Sequence, residues 1–244
     1  VARAAMSRGL AATVLMPADS PSVKIEGTRA FGATVITYDR YTENREEIGQ
    51  RLAAETGAVL IPPYEDAHVI AGQGTTALEI AAQCAALNVV PDHFICCTGG
   101  GGLIAGCSIA MQDKLPKTKL WAAEPTGYDD TIRSLATGER QTADLSQTSI
   151  CDSIVTPQPG EMTFAINRKT LAGGFAVSEE LVLKTMATAF KHLKIVSEPG
   201  GAVALAAAMD GRLPADTNCV VAVVTGGNVD PAMFERALAA GPLF

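Results

Sequence analysis

Four consecutive glycines follow an apolar run near the middle of the chain, and they are well suited to binding an anion. The loop consists of Gly99, Gly100, Gly101 and Gly102 (the glycine loop), with Thr98 before it and Leu103 after it. The β-prone residues 94–97 predict a strand before the loop, and a helical pattern begins at Leu103. Uncovered backbone amides at a helix N-terminus suit a phosphate group. The alternative is a tight connection whose glycines only allow close packing.

Two other predicted strands also end in residues that are unusual for a connection. Residues 119–124 predict a strand that ends at Glu124, and residues 219–225 predict one that ends at Thr225 and is followed by Gly226. In parallel α/β sheets, ligands bind outside the carboxyl ends of the strands. We therefore expect the three strand ends to form one site from distant parts of the chain.

Two cofactors fit such a site. Gly100, Gly102 and Ala105 match the dinucleotide fingerprint G-x-G-x-x-A, and Glu124 lies about twenty residues further on, where a ribose-binding acid is expected. That interpretation leaves Thr225 unexplained. Pyridoxal phosphate needs a phosphate cradle, a lysine and a group facing its pyridine nitrogen. The glycine loop could supply the cradle and Thr225 the facing group, and a hydroxyl in that position suits β-elimination.

Five motifs follow one another along the chain: residues 69–75 (VIAGQGT), 98–106 (TGGGGLIAG), 124–125 (EP), 197–202 (SEPGGA) and 225–230 (TGGNVD). Together they resemble the motifs of the serine/threonine dehydratase family. Members of that family, the threonine ammonia-lyases, are fold-type II pyridoxal-phosphate enzymes, and serine racemase and 3-hydroxyaspartate dehydratase are relatives. The resemblance implies pyridoxal 5'-phosphate as cofactor and an α/β fold like that of tryptophan synthase β, with two three-layer lobes and open, mainly parallel sheets.

The resemblance also assigns residues to the cofactor. The glycine loop, with Thr98 and Leu103, corresponds to the segment that holds the cofactor phosphate. Thr225 corresponds to the hydroxyl residue that faces the pyridine nitrogen, and Gly226 follows it in the same motif.

A divalent-cation site is implied by the same family. Glu124, Asp130 and the carbonyl of Tyr128 correspond to the site of the metal-activated members, which would take Mg²⁺, Mn²⁺ or Ca²⁺. Two carboxylates near one strand end can hold a hard cation. The alternative is that these acids cap the helix predicted to begin there.

The catalytic lysine of the family has no match in this sequence. In the family this lysine forms the Schiff base with the cofactor and lies in a Ser-Phe-Lys motif far upstream of the motifs matched here. We therefore expect it upstream of Val1. This chain alone is then expected to be inactive. Ser153, where relatives often have glycine, could narrow the pocket. The lysines considered fall on predicted helices and are expected to be solvated: Lys24, Lys169, Lys184, Lys191 and Lys194.

The resemblance implies a β-elimination that converts a small β-hydroxy amino acid, L-threonine or L-serine, to a 2-oxo acid and ammonia in the complete protein. 3-Hydroxyaspartate dehydratase and serine racemase are alternatives within the family. An NAD-binding domain or an inactive scaffold fragment are alternatives of another class.

Composition limits the class of protein and of partner. The chain is 48% hydrophobic and 18% charged, which suits an α/β sheet covered on both faces. A net charge of −7 argues against a nucleic acid or an anionic membrane as partner. Six cysteines without a C-x-x-C pair are expected to be buried and reduced, as in a cytoplasmic protein. We expect a homo-oligomer, either a dimer or a tetramer.

The predicted elements divide the chain into a small lobe, residues 1–66, and a large cofactor-binding lobe, residues 67–244. Prolines at the end of the small lobe mark the boundary. Residues 58–61 are predicted as its last strand, and residues 178–193 as one helix of the large lobe.

Overall fold

The structure, a computed structural model, describes all residues from Val1 to Phe244. The chain forms two compact units. Unit 1 contains Val1–Ile61 and Asn228–Met233, and unit 2 contains Pro62–Gly227 and Phe234–Phe244. Unit 1 thus ends before the predicted boundary at residue 66, and it includes a segment from near the C-terminus.

Unit 1 contains a two-stranded parallel sheet, in which β1 pairs with β2 from Thr13 opposite Thr34 to Pro17 opposite Tyr38. The side chain of Asn44 accepts hydrogen bonds from two amides at the start of α3, and Gly57 ends that helix with φ of +70°. The elements are α1 (Ala2–Ser7), β1 (Thr13–Pro17), α2 (Ser22–Ala30), β2 (Thr34–Tyr38) and α3 (Arg45–Thr56).

The late segment of unit 1 explains how α2 begins. Asp230 Oδ1 accepts hydrogen bonds from the backbone N–H of Val23 (3.3 Å) and from Ser22 Oγ (3.4 Å). A carboxylate from more than 200 residues away therefore binds the amide end of this helix, where its charge is favourable.

The predicted strand at residues 58–61 is wrong. These residues form no ladder with β1 or β2, and Val59 is 87% exposed. The apolar run has the composition of a strand, but a strand also requires a neighbour to satisfy its backbone groups.

Unit 2 is built around a four-stranded sheet with the order β5-β4-β3-β6, and every pairing is parallel. The parallel sheets and intervening helices confirm the predicted α/β class. The elements are α4 (Ala67–Leu87), β3 (His93–Cys97), α5 (Gly102–Lys114), β4 (Lys119–Pro125), α6 (Asp130–Thr137), α7 (Glu161–Thr170), β5 (Gly173–Val177), α8 (Glu179–Thr188), a π-helical turn (Ala189–Leu193), α9 (Pro199–Met209), β6 (Val220–Ala222) and α10 (Pro231–Ala240), whose first three residues belong to unit 1.

Strand β5 is absent from the sequence prediction because Gly173 and Gly174 suggest a loop. Their lack of side chains instead lets β5 approach its neighbours closely. A Cβ at Gly173 would lie 3.3 Å from the ring of Trp121, and a Cβ at Gly174 would lie 2.6 Å from Ile132 Cγ1. The helix predicted over residues 178–193 is α-helical only to Thr188 and continues as the π-helical turn.

The core of unit 2 lies where α4 and α5 pack on the central strands. All five residues of β3 are buried, so both faces of the sheet are covered there. At the contact between α4 and α5, a Cβ on Gly106 would overlap the carbonyl oxygen of Ile70. The buried cluster contains Ala77, Phe94, Cys96, Ile104, Cys107, Met111, Leu120 and Ala122.

The cysteines form no disulfide, and five of the six are buried, as predicted. No helix is both long and apolar enough to cross a membrane.

Candidate active site

Parallel pairing places the carboxyl ends of β3, β4 and β6 at one edge of the large sheet, since β3 pairs with β4 on one side and with β6 on the other. The glycine loop follows β3, Glu124 lies at the end of β4, and Thr225 follows β6. Cys97 Sγ, in the last residue of β3, lies 3.5 Å from Thr225 Oγ1. The edge therefore brings together residues that are far apart in sequence.

The glycine loop presents unpaired amides at the start of α5. Gly101 precedes the helix with φ of +89°, and no side chain caps this end. None of the loop amides donates a hydrogen bond within the protein, although Gly100, Gly101 and Gly102 are buried. Buried amides without an acceptor are rare. Their position at a helix N-terminus fits a group with several anionic oxygens, such as a phosphate.

The glycines have little room for side chains. A Cβ at Gly99 would lie 2.9 Å from the carbonyl oxygen of Ile154, and a Cβ at Gly100 would overlap the ring of Tyr64. Tyr64 therefore covers part of the loop. The close approach of both residues explains why the loop needs glycine at these positions.

Two buried side chains of α7 bind the carbonyls of the loop. Thr163 Oγ1 donates a hydrogen bond to Gly100 O (2.6 Å), and Asn167 Nδ2 donates one to Gly101 O (3.3 Å). Both side chains are fully buried. Nothing in the local sequence identifies them, because they lie more than 60 residues beyond the loop.

The two residues that flank the glycine loop face the protein interior. Thr98 Oγ1 donates to the carbonyl oxygen of Cys96 (3.1 Å), and the Thr98 amide donates to Ala123 O (2.9 Å). The side chain of Leu103 packs against the core cluster. Leu103 can therefore offer a ligand only its amide, whereas both hydrogen-bond donors of Thr98 are already used.

Thr225 is held at the sheet edge by the segment that contains α9. The Thr225 amide donates to Gly201 O (3.4 Å), and the carbonyl of Gly226 accepts a hydrogen bond from the Glu198 amide (2.9 Å). A Cβ on Gly201 would lie 2.7 Å from Gly226 O. This close backbone contact holds residues 225–226 against the start of α9.

Glu124 binds the start of α6. Its carboxylate accepts hydrogen bonds from the amides of Thr131 (3.1 Å) and Ile132 (2.9 Å). Glu124 thus caps the N-terminal end of α6, as expected in the alternative to a metal site. Burial, and then the nearby carboxyl of Asp130, raise its pKa well above the ordinary value, even though these amides lower it.

Asp130 lies beside Glu124 and is also buried. Its Oδ2 has no hydrogen-bond partner, and burial raises its pKa from 3.8 to about 7. Nearby, Tyr128 Oη donates to Gln147 O (2.9 Å). No group of three or more histidine, cysteine or acidic side chains is arranged to hold a metal. Two buried carboxylates with an unpartnered oxygen nevertheless fit a hard cation that also uses backbone carbonyls.

Ser153 and three of the candidate lysines lie at the protein surface or already have polar partners. Ser153, which was expected to narrow the pocket, is exposed and packs against Gly200 at the start of α9. Lys169 is exposed, Lys184 pairs with Glu180 (2.6 Å), and Lys191 donates to the carbonyl oxygen of Phe244 (3.1 Å).

Comparison with known proteins identifies the fold and the family of the chain. The sequence profile of the family described as "Pyridoxal-phosphate dependent enzyme" matches residues 1–226. An L-threo-3-hydroxyaspartate ammonia-lyase from Pseudomonas sp is 37% identical over 98% of this chain and 73% of its own length.

Two solved structures share the fold. The threonine deaminase of T.th. has a TM-score of 0.87 and 39% identity, covering 94% of this chain and 73% of that one. Maize serine racemase has a TM-score of 0.87 and 32% identity, covering 98% of this chain and 72% of that one. Pyridoxal phosphate is therefore confirmed as the cofactor of the family, and no similarity to a dinucleotide-binding protein supports the alternative interpretation. The chain belongs to the fold-type II pyridoxal-phosphate dependent enzymes, in the group of ammonia-lyases and racemases.

Proposed function

We propose that the protein containing this chain dehydrates and deaminates L-threonine or L-serine, giving a 2-oxo acid and ammonia. The observation that carries the proposal is the hydroxyl of Thr225 at the sheet edge beside the glycine loop. When bound, pyridoxal phosphate withdraws electrons from the bonds at the substrate's α-carbon.

The glycine loop is proposed to bind the cofactor phosphate through its unpaired amides and the amide of Leu103. Thr98 supports the loop through its hydrogen bonds to strand carbonyls. We assign Thr225 to the pyridine nitrogen, with Gly226 holding the segment in place. A hydroxyl carries no charge, so it stabilises a protonated ring nitrogen less than a carboxylate would. Less electron withdrawal favours elimination, in which the departing hydroxyl group takes the electrons.

The lysine that carries the cofactor is proposed to come from outside residues 1–244. Lys184 and Lys191 already have partners, and Lys194 Nζ donates to Lys191 O (2.7 Å). Lys114 pairs with Asp113 at the C-terminal end of α5, away from the glycine loop at the N-terminal end.

We also propose a divalent-cation site formed by Glu124, Asp130 and the carbonyl of Tyr128, which would take Mg²⁺, Mn²⁺ or Ca²⁺. It is supported by the burial of both carboxylates and by the unpartnered Oδ2 of Asp130. A cation would offset the cost of ionising two adjacent buried acids.

A second candidate substrate is 3-hydroxyaspartate, because the 37% identical Pseudomonas relative is a lyase for L-threo-3-hydroxyaspartate. Serine racemisation is a third activity to test, in view of the likeness to the maize enzyme. A cytoplasmic location and a homo-oligomer stay predictions.

The test is to supply the purified complete protein with pyridoxal phosphate and each amino acid. We expect 2-oxobutanoate from L-threonine or pyruvate from L-serine, with release of ammonia. Oxaloacetate from 3-hydroxyaspartate alone would favour the second candidate, and D-serine without pyruvate would favour racemisation. Absence of all these products would refute the proposal.

A further inference from the structure

The two carbonyls bound by α7 belong to the peptide groups that carry two of the loop amides. Gly100 C=O shares its peptide plane with the N–H of Gly101, and Gly101 C=O shares its plane with the N–H of Gly102. All peptide bonds are trans, so the N–H of each plane points opposite to its C=O. Fixing the direction of a carbonyl therefore fixes the direction of the next amide.

We propose that Thr163 and Asn167 are positioning residues for the cofactor phosphate. By binding the carbonyls of Gly100 and Gly101, they turn the amides of Gly101 and Gly102 away from α7. This inference rests on the proposed function of the glycine loop as a phosphate site, and it adds the residues that orient the loop.

The burial of Asn167 supports a role beyond stability. Its Oδ1 has no hydrogen-bond donor although the residue is fully buried. Such a group destabilises the folded state, and an apolar residue would avoid that cost. The amide group is explained by its other end, because Nδ2 is the donor that reaches Gly101 O.

Thr163 makes the shorter of the two bonds. Its hydroxyl has a single proton, and Gly100 O at 2.6 Å is a much closer acceptor than Gly160 O at 3.3 Å. Gly100 O also accepts a longer hydrogen bond from the amide of Gly160 (3.3 Å). The start of α7 thus holds this carbonyl through both a side chain and the backbone.

The experiment compares the binding of pyridoxamine 5'-phosphate and pyridoxamine by isothermal titration calorimetry. These ligands differ only in the phosphate, and neither can form an imine with a lysine. The variants are T163V and N167L, which remove the two donors, and T163S, which keeps the hydroxyl. T170V is the matched control, because Thr170 Oγ1 on the same helix bonds Ser108 Oγ (3.0 Å) and not the loop.

We expect the wild-type chain to prefer the phosphorylated ligand. That preference should fall about tenfold in T163V and in N167L, as is typical for loss of a buried hydrogen bond, and should be retained in T163S and T170V. The affinity for pyridoxamine should not change. Circular dichroism confirms folding, and either donor variant decides the outcome if the other does not fold.

Two outcomes overturn the inference in distinguishable ways. If the wild type shows no preference for the phosphate, the loop is not a phosphate site and the proposed function of the loop fails as well. If the wild type prefers the phosphate and the donor variants keep that preference, or lose both ligands equally, only the role of α7 is refuted.

Discussion

Replacing Asp130 with asparagine should stabilise the protein above neutral pH when no divalent cation is present. Burial raises the pKa of Asp130 from 3.8 to about 7. Between these two values the folded protein retains a proton that the unfolded chain has released. This retained proton stabilises the folded protein relative to the unfolded chain. Its contribution is complete below pH ~4 and is lost as the pH rises through about 7.

The size of this effect follows from the difference between the two pKa values. A rise from 3.8 to about 7 is roughly 3 units, and each unit corresponds to about 1.36 kcal/mol. The titration of Asp130 should thus lower the free energy of unfolding by about 4 kcal/mol between pH 4 and pH 8. Asparagine has a similar shape and no charge, so D130N should not show this loss. It also removes the charge that helps to raise the pKa of Glu124.

Urea unfolding in EDTA at pH 5 and pH 8 measures the effect, with fluorescence of Trp121, the single tryptophan, as the signal. D130N should exceed the wild type in stability at pH 8, and the difference should be smaller at pH 5. D113N, which removes an exposed acid, serves as the control. Adding Ca²⁺ or Mg²⁺ should then stabilise the wild type at pH 8 but not D130N.

Different outcomes would contradict the cost of the buried charge and the metal site. A D130N variant no more stable than the wild type at pH 8 in EDTA would contradict the cost assigned to the buried charge. An equal effect of the cation on both proteins would contradict the proposed metal site.

The remaining predictions concern packing and capping, and urea unfolding measures each of them. Gly106→Ala should destabilise the protein by about 3 kcal/mol, because the new Cβ would overlap backbone of α4. Gly72→Ala in α4, with nothing within 4 Å, should instead stabilise it by about 0.5–1 kcal/mol, and equal effects of the two would refute the close helix contact. Asn44→Ala should cost about 1 kcal/mol by removing the cap of α3; no loss would mean that water replaces the cap. His93→Phe should cost about 1–3 kcal/mol, because Trp121 Nε1 loses its acceptor, and an unchanged stability would contradict this.

Local signals were enough to predict the elements at the centre of the candidate site. An apolar run, four glycines and a helical pattern follow one another directly, so β3, the glycine loop and α5 could be located from the sequence. Thr225 could then be placed near this loop, because the carboxyl ends of parallel strands lie at the same edge of a sheet. Ligands bind at that edge.

Features that depend on neighbours could not be predicted in the same way. Residues 58–61 have the composition of a strand but no partner, whereas Gly173 and Gly174 form a strand because Trp121 and Ile132 occupy the space beside them. Strand pairing is thus decided by tertiary contacts that composition does not report.

The contacts of the glycine loop set an order for the appearance of the site during synthesis. Thr163 and Asn167 follow their carbonyl partners by 63 and 66 residues, and a ribosome adds about 5–20 residues per second. A nascent chain that ends before Thr163 therefore contains the whole glycine loop without either side chain that binds its carbonyls. These two hydrogen bonds can form only after α7 has been made and has docked, so the cradle proposed for the phosphate is complete only then.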